Sequence, residues 1–238
     1  YGQQRFYDKL KQLNIKSLNK NAKHYGLSLI LGGSEANMWE LGRTYMGMAS
    51  SLNNYEENNY KYDANDYDNP TVIITTKNKR KNLQKDSHFS AASIWQTFEV
   101  LSELNRPIGE GQWEVFSSSS KIAWKTGTSF GHRDAWAIGV TPEYVTVVWV
   151  GNADGEGRPG LTGTNIAAPI MFSVFDQLPA TTWFNIPYED MEELEVCTKS
   201  GDLASENCEN ISIELVPKNC KRAKQCIYHK IIHLNLDS

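Results

Sequence analysis

Ile122-Ala123-Trp124-Lys125-Thr126-Gly127-Thr128-Ser129 is the stretch on which the reading of this chain turns. Its first residues suit a strand. Lys125-Thr126-Gly127-Thr128 then sets an ammonium, two hydroxyls and a glycine open to close backbone approach at the strand's end. That combination fits an extended peptide ending in a carboxylate, laid along the edge as an added strand. A bare KTGT tetrapeptide recurs by chance, and a solvated lysine is then its commoner meaning. The neighbouring sequence therefore has to decide.

Working outward, three strands are expected at Lys121–Thr126, Ala135–Val140 and Tyr144–Val150, the last two joined as an antiparallel hairpin by Thr141-Pro142-Glu143. The third, YVTVVWV, is apolar at nearly every position, as a central strand covered on both faces would be. A glycine-rich turn from Gly151 to Gly163 leads into a helix on which Ile166, Ile170, Val174 and Leu178 recur every fourth residue. Upstream, Ala91, Ile94, Phe98 and Leu101 share a helical face after Ser90, with Arg106-Pro107 beyond the helix end. Thr71–Thr76 is strand-like by β-branching, and the polar run from Asn53 to Asn69 reads as a long exposed loop. Phe6, Leu10 and Leu13 mark one helix, and Met38, Leu41, Tyr45, Met48 and Leu52 another, with Ser34 as its N-cap. Trp39, Trp95, Trp124, Trp136 and Trp149 are expected in the core. The order predicts an α+β fold, an antiparallel sheet sandwiched by helices.

With 238 residues, 40% of them hydrophobic, the chain can bury a substantial core. A formal charge of -4 offers no field for phosphate backbones, so no nucleic acid is expected as a partner. The longest apolar run, Tyr144–Val150, falls far short of the ~20 residues that cross a bilayer. The chain opens at Tyr1 without a leader, so targeting information is expected to lie outside this segment or to have been removed. After Pro179 the composition shifts, giving two expected regions, residues 1–186 and a tail of residues 187–238. All four cysteines, Cys197, Cys208, Cys220 and Cys226, lie in that tail, a clustering that suggests either disulfides or a metal site. Cys220, Cys226, His229 and His233 resemble a zinc knuckle, but no pair has Cys-x-x-Cys spacing.

Lys-Thr-Gly is also the third signature of the penicillin-recognising serine acyltransferases, and here the similarity runs on. It continues through Arg133-Asp134-Ala135-Trp136-Ala137-Ile138-Gly139-Val140-Thr141-Pro142 and Val148-Trp149-Val150-Gly151. Upstream it takes in Tyr25-Gly26-Leu27-Ser28-Leu29-Ile30-Leu31-Gly32-Gly33, and in the tail Cys197-Thr198-Lys199-Ser200-Gly201 and Cys226-Ile227-Tyr228-His229. The chain thus resembles the C-terminal part of the transpeptidase domain of class A penicillin-binding proteins, most of all their 1C branch, over nearly its whole length.

The resemblance implies a DD-transpeptidase that cross-links peptidoglycan stem peptides ending in D-Ala-D-Ala through an acyl-serine, with β-lactams as inhibitors and no cofactor or metal. It implies that Lys125 and Thr128 are catalytic, and that Thr126, Gly127, Thr128 and Ser129 bind substrate. The nucleophilic Ser-x-x-Lys and the Ser-x-Asn signatures are expected upstream, outside this chain, leaving the fold incomplete at its N-terminus and the chain inactive by itself. An N-terminal glycosyltransferase and a place on the periplasmic side of the inner membrane are implied too. That oxidising compartment favours disulfides between Cys197 and Cys208 and between Cys220 and Cys226. A non-catalytic module that binds cell-wall peptide on the same fold is the alternative; a free-standing β-lactamase fits the tail less well.

Other matches within the chain read as structure. Ser118-Ser119-Ser120-Lys121 abuts the Lys125 strand after turn-forming residues and reads as a loop. Ser17-Leu18-Asn19 and Ser51-Leu52-Asn53 read as capping and turn residues at helix ends. Asp63, Asn65 and Asp68 lack an EF-hand register and suit a solvated loop. His132, Arg133 and Asp134 are equally open to substrate contact or to a role in strand entry.

Overall fold

The computed structural model describes residues 1–72, 80–103, 121–218 and 224–231. Most of the expected Thr71–Thr76 strand, Arg106-Pro107, Ser118–Ser120, Cys220 and His233 lie outside these. The elements are α1 (Gln3–Gln12), α2 (Ala22–Tyr25), α3 (Met38–Glu57), β1 (Tyr62–Asp63), β2 (Leu83–Gln84), α4 (Ala91–Ser102), β3 (Ala123–Thr128), β4 (Asp134–Val140), β5 (Val145–Gly151), α5 (Ala168–Phe175), β6 (Met191–Cys197) and β7 (Ile211–Pro217). They fall into two compact units, Tyr1–Asn185 and Ile186–Ser238. Among the described residues no helix is long and apolar enough to cross a membrane.

In the first unit β3, β4 and β5 form an antiparallel sheet in that order. Lys125 stands opposite Ile138 and Gly127 opposite Trp136. The β4–β5 hairpin closes through Thr141, whose N–H donates to the Tyr144 carbonyl at 2.9 Å and whose hydroxyl accepts from the Tyr144 N–H at 3.2 Å. Strand alternation sends neighbouring side chains to opposite faces. Ala123, Ile138 and Val140 pack with Leu52 and Tyr55 of α3 and with Ile94 and Phe98 of α4. Trp124, Ala135, Ala137 and Val148 pack with Met171, Phe172 and Phe175 of α5. The fold is thus α+β, helices on both faces of an antiparallel sheet. The strand at its centre is β4, not the more uniformly apolar β5; helices cover both faces of β5 as well, which accounts for its composition.

Several local expectations shift. The α5 stripe that meets the sheet is Ala168, Met171, Phe172 and Phe175, while Ile166, Ile170 and Val174 lie about 40% exposed. This helix is apolar nearly all round, so periodicity alone cannot choose its inner face. Gly139 does so, since a Cβ there would come within 2.5 Å of the Phe175 ring and 2.8 Å of Met171 Sδ. The α3 N-cap is Asn37, not Ser34, its side-chain oxygen accepting from the Glu40 N–H at 2.9 Å.

The Asn53–Asn69 run is not an open loop. The α3 helix continues through its first residues, Tyr55 and Tyr62 are buried, and Asp66 accepts from Ser51 and Asn54. Ser51 is therefore a buried mid-helix residue rather than a helix end. Asp63 Oδ1 accepts from the Asn65 and Asn82 N–H groups, an Asx turn that joins β1 to β2. Trp124 is buried as expected, but Trp39 is 67% exposed and Trp149 37%.

Candidate functional site

A groove of about 900 Å³ runs beside β3, lined by Lys125–Ser129, by Asp134, Trp136 and Ile138 of β4, by Leu41 and Tyr45 of α3, and by the turn 30–36. That turn follows a 3-10 helix, Gly26–Leu31, which ends on left-handed Gly32 (φ 84°). It closes with the Gly33 N–H donating to the Ser28 carbonyl at 2.8 Å. Glu35 stands in the same wall. Its own backbone N–H, then the Tyr25 hydroxyl at 2.9 Å, hold its carboxyl below the usual carboxylate range.

Among the described residues β3 has a partner strand on one side only. The direction of its backbone groups follows from the ladder. The Ser129 N–H donates to the Asp134 carbonyl at 3.0 Å, so odd-numbered residues address β4, and antiparallel alternation turns the N–H and C=O of Thr126 and Thr128 away from β4, to the edge with no partner strand among the described residues. Lys125 Nζ donates to the Thr126 carbonyl at 2.5 Å, in keeping with that direction.

The Thr side chains lie on the α5 side of the strand. Thr128 Oγ1 accepts from the Gly163 N–H at 3.0 Å, which leaves its own proton available to donate. Thr126 Oγ1 stands 3.5 Å from Thr164 Oγ1. Gly163 opens a π-helical turn, Gly163–Ala167, whose entry is capped by the Thr162 hydroxyl. Only glycine fits there: a Cβ would fall 2.5 Å from the Gly127 carbonyl oxygen and 2.6 Å from that of Trp136. The strand end is fixed by its hairpin. Ser129 Oγ accepts from the Asp134 N–H at 2.8 Å, and Gly131 (φ 75°) and His132 (φ 55°) make the left-handed turn. Asp134 in turn accepts from Trp149 Nε1 at 2.9 Å.

Chemically this edge offers a cation, two hydroxyls and main-chain donors and acceptors along one strand, a set suited to an anion or an extended peptide. The structure brings Lys125, Thr126, Gly127, Thr128 and Ser129 together in the groove, Ser129 having its hydroxyl oxygen already engaged by the hairpin. Of the open trio, Asp134 lines the groove, while His132 Nδ1 lies 3.2 Å from the Leu161 carbonyl. Lys121, the lysine of the Ser118–Lys121 match, pairs with Glu99 at 2.5 Å and stacks over Trp183. Gly163, Thr164 and the 30–36 turn were not singled out as site residues from sequence. Their signal was present, as a Thr-Gly-Thr at the end of a glycine-rich turn, but a helix entry uses the same residues.

In the second unit Cys197, Cys208 and Cys226 are free and buried, and all three approach His229. The expected Cys197–Cys208 bond is absent from the structure. The Ser200 hydroxyl, with burial opposing it, is the chief influence bringing the Cys226 thiol down to about 7.

No protein-family model matches the chain. It is 28% identical over 180 residues to penicillin-binding protein 1C of Escherichia coli (strain K12), an alignment covering 73% of this chain and 20% of that protein. Penicillin-binding protein 1A of Clostridium tetani (strain Massachusetts / E88) is 29% identical over 119 residues, 47% of this chain and 15% of that one. The chain thus spans about a fifth or less of the length of these relatives. The crystal structure of penicillin-binding protein 1A from Haemophilus influenzae superposes with a TM-score of 0.50 at 18% identity, covering 90% of this chain and 38% of that one, a likeness of fold.

Proposed function

We propose, from the premise that this chain is a homologue of the C-terminal part of the class A penicillin-binding transpeptidase region, that it forms the substrate-holding half of a peptidoglycan DD-transpeptidase site. The observation that carries the reading is the outer edge of β3, where Lys125, Thr126 and Thr128 stand beside main-chain groups that have no partner strand among the described residues. A stem peptide ending in D-Ala-D-Ala enters as an added strand. Lys125 attracts its terminal carboxylate, and the hydroxyls of Thr126 and Thr128 donate to it. A serine supplied from outside these 238 residues attacks the penultimate D-Ala carbonyl. The Thr128 N–H stabilises the oxyanion, a donation typically worth about 3 kcal/mol. The C–N bond breaks, D-Ala leaves with the proton, and the acyl-serine is then opened by an amine of a neighbouring stem peptide.

The same reading places residues 1–186 in the transpeptidase and residues 187–238 in an appended element. It puts the parent protein on the periplasmic face of the cell envelope, with a glycosyltransferase domain as a covalent neighbour and β-lactams as acylating inhibitors. Fluorescent penicillin tests it. A longer polypeptide that carries the serine should be labelled, with Lys125→Ala slowing acylation by about 100-fold or more, while the 238-residue chain alone should stay unlabelled. Labelling of this chain at one of its own serines, or undiminished labelling of the Lys125→Ala parent, would refute the proposal.

A further inference from the structure

The second unit carries an arrangement that peptide chemistry in the groove does not use. Its buried cluster is Cys197, Cys208 and Cys226, with Ala204 packed against them. Cys197 ends β6. Cys226 is brought back by a bridge between Leu203 and Gln225, its N–H donating to the Leu203 carbonyl at 2.8 Å. The Sγ atoms of Cys197, Cys208 and Cys226 stand 3.6, 3.3 and 3.4 Å from His229 Nδ1, and the four donor atoms all lie within 4.8 Å of one another. A tetrahedral ion with bonds of about 2.3 Å to sulfur and 2.0–2.1 Å to nitrogen sets S···N at about 3.6 Å and S···S at about 3.8 Å.

The surroundings complete the pattern. Cys208 Sγ accepts from the Ser205 N–H at 3.3 Å and has the Ser205 hydroxyl at 3.3 Å. Such donors neutralise part of a thiolate's charge and fix its direction, as outer-shell partners of metal ligands do.

We propose that Cys197, Cys208, Cys226 and His229 bind one structural zinc ion that holds the second unit together. A four-coordinate site with every position filled by protein is structural rather than catalytic. A Cys197–Cys208 disulfide would use two of the four converging groups and leave Cys226 and His229 facing it, whereas a metal ion uses all four. A unit this small also needs a staple: among its described residues the buried cluster consists of the ligands themselves.

The 238-residue chain, purified under reducing conditions, should contain one zinc per chain by elemental analysis. Exchange with cobalt should give the ligand-field absorption of a tetrahedral thiolate site. Cys208→Ser should lose the ion or bind it more weakly by about 10-fold or more. Because that variant could fail through misfolding, His229→Cys serves as the control: it keeps four zinc-competent ligands and should still bind one ion. Chains that take up neither zinc nor cobalt when both are offered, or that carry a Cys197–Cys208 cross-link by mass spectrometry before any reduction, would overturn the assignment.

Discussion

Glu40 shows how single residues prepare the groove. It lies in the first turn of α3 and accepts from the Lys16 N–H at 2.7 Å, the Ser17 N–H at 3.0 Å and the Ser17 hydroxyl at 2.6 Å. Three residues on, Arg43 Nη2 donates to the Leu13 and Asn14 carbonyls at 2.6 and 2.8 Å. Together they bind the 13–17 turn to the helix that supplies Leu41 and Tyr45 to the groove. Burial works against the Glu40 charge, but the Ser17 hydroxyl and the N–H donors outweigh it and hold the carboxyl below the usual range. The sign follows from that: the contribution is full above the unfolded carboxylate range and disappears as pH falls through the depressed folded value. Glu40→Gln should lower unfolding free energy by about 1.5–3 kcal/mol at neutral pH, the range for hydrogen bonds to a charged group. Denaturant titration should show the gap between variant and parent closing in acid. Neither residue was legible as a tether in the sequence, because a Glu and an Arg on a helix ordinarily face solvent.

At the scale of elements, Gly163 and α5 carry the argument. The π-helical turn presses against β3 so closely that Gly163→Ala must move the turn or the strand. Overpacking of this kind costs about 1–3 kcal/mol, and the backbone N–H that orients the Thr128 hydroxyl, which alanine retains, would be displaced from it. A penicillin-labelled parent carrying Gly163→Ala should therefore acylate at least about 10-fold more slowly, a fall seen in the rate of labelling. The other side of the same helix gives a sharper test of the fold. Phe172→Ala should cost about 3–5 kcal/mol, whereas Ile170→Ala, 46% exposed, should stay within about 0.5 kcal/mol. Equal losses at both would mean that the helix is rotated from the orientation described.

Of the sequence stripe Ile166, Ile170, Val174 and Leu178, only Leu178 packs against the core, the other three lying about 40% exposed, and the reason is physical. On a helix apolar all round, the inner face is chosen by whatever the sheet can admit, here Gly139 opposite Met171 and Phe175. The strands were legible because β-branched runs, a three-residue link and a glycine-bearing edge are local signals. Pairing of the tail cysteines was an expectation from the compartment that the resemblance implies; local sequence says nothing of which sulfurs meet, because β6 and the Leu203–Gln225 bridge, which are long-range, bring Cys197 and Cys226 together.

For the whole molecule, composition divides as the chain does. All seven tryptophans precede Asn185 and all four cysteines follow Ile186. The first unit holds itself together by apolar layers on a sheet, while the second relies on four polar ligands around a point. The two should therefore answer to different perturbations. Metal binding to the native state contributes folding free energy that chelation removes, and apolar layers are indifferent to chelators. Adding a strong chelator to the intact chain should abolish the ordered far-ultraviolet signal of the β6–β7 hairpin and expose the thiols to an aromatic disulfide reagent. Tryptophan emission and its thermal midpoint should stay unchanged within about 1 °C, since a shift of several degrees corresponds to roughly 1 kcal/mol in a domain of this size. Zinc added back should restore thiol protection. A single transition in which tryptophan emission and thiol exposure move together under chelation would show that the two units fold as one body, and the division of labour between sheet and ligand cluster would then be wrong.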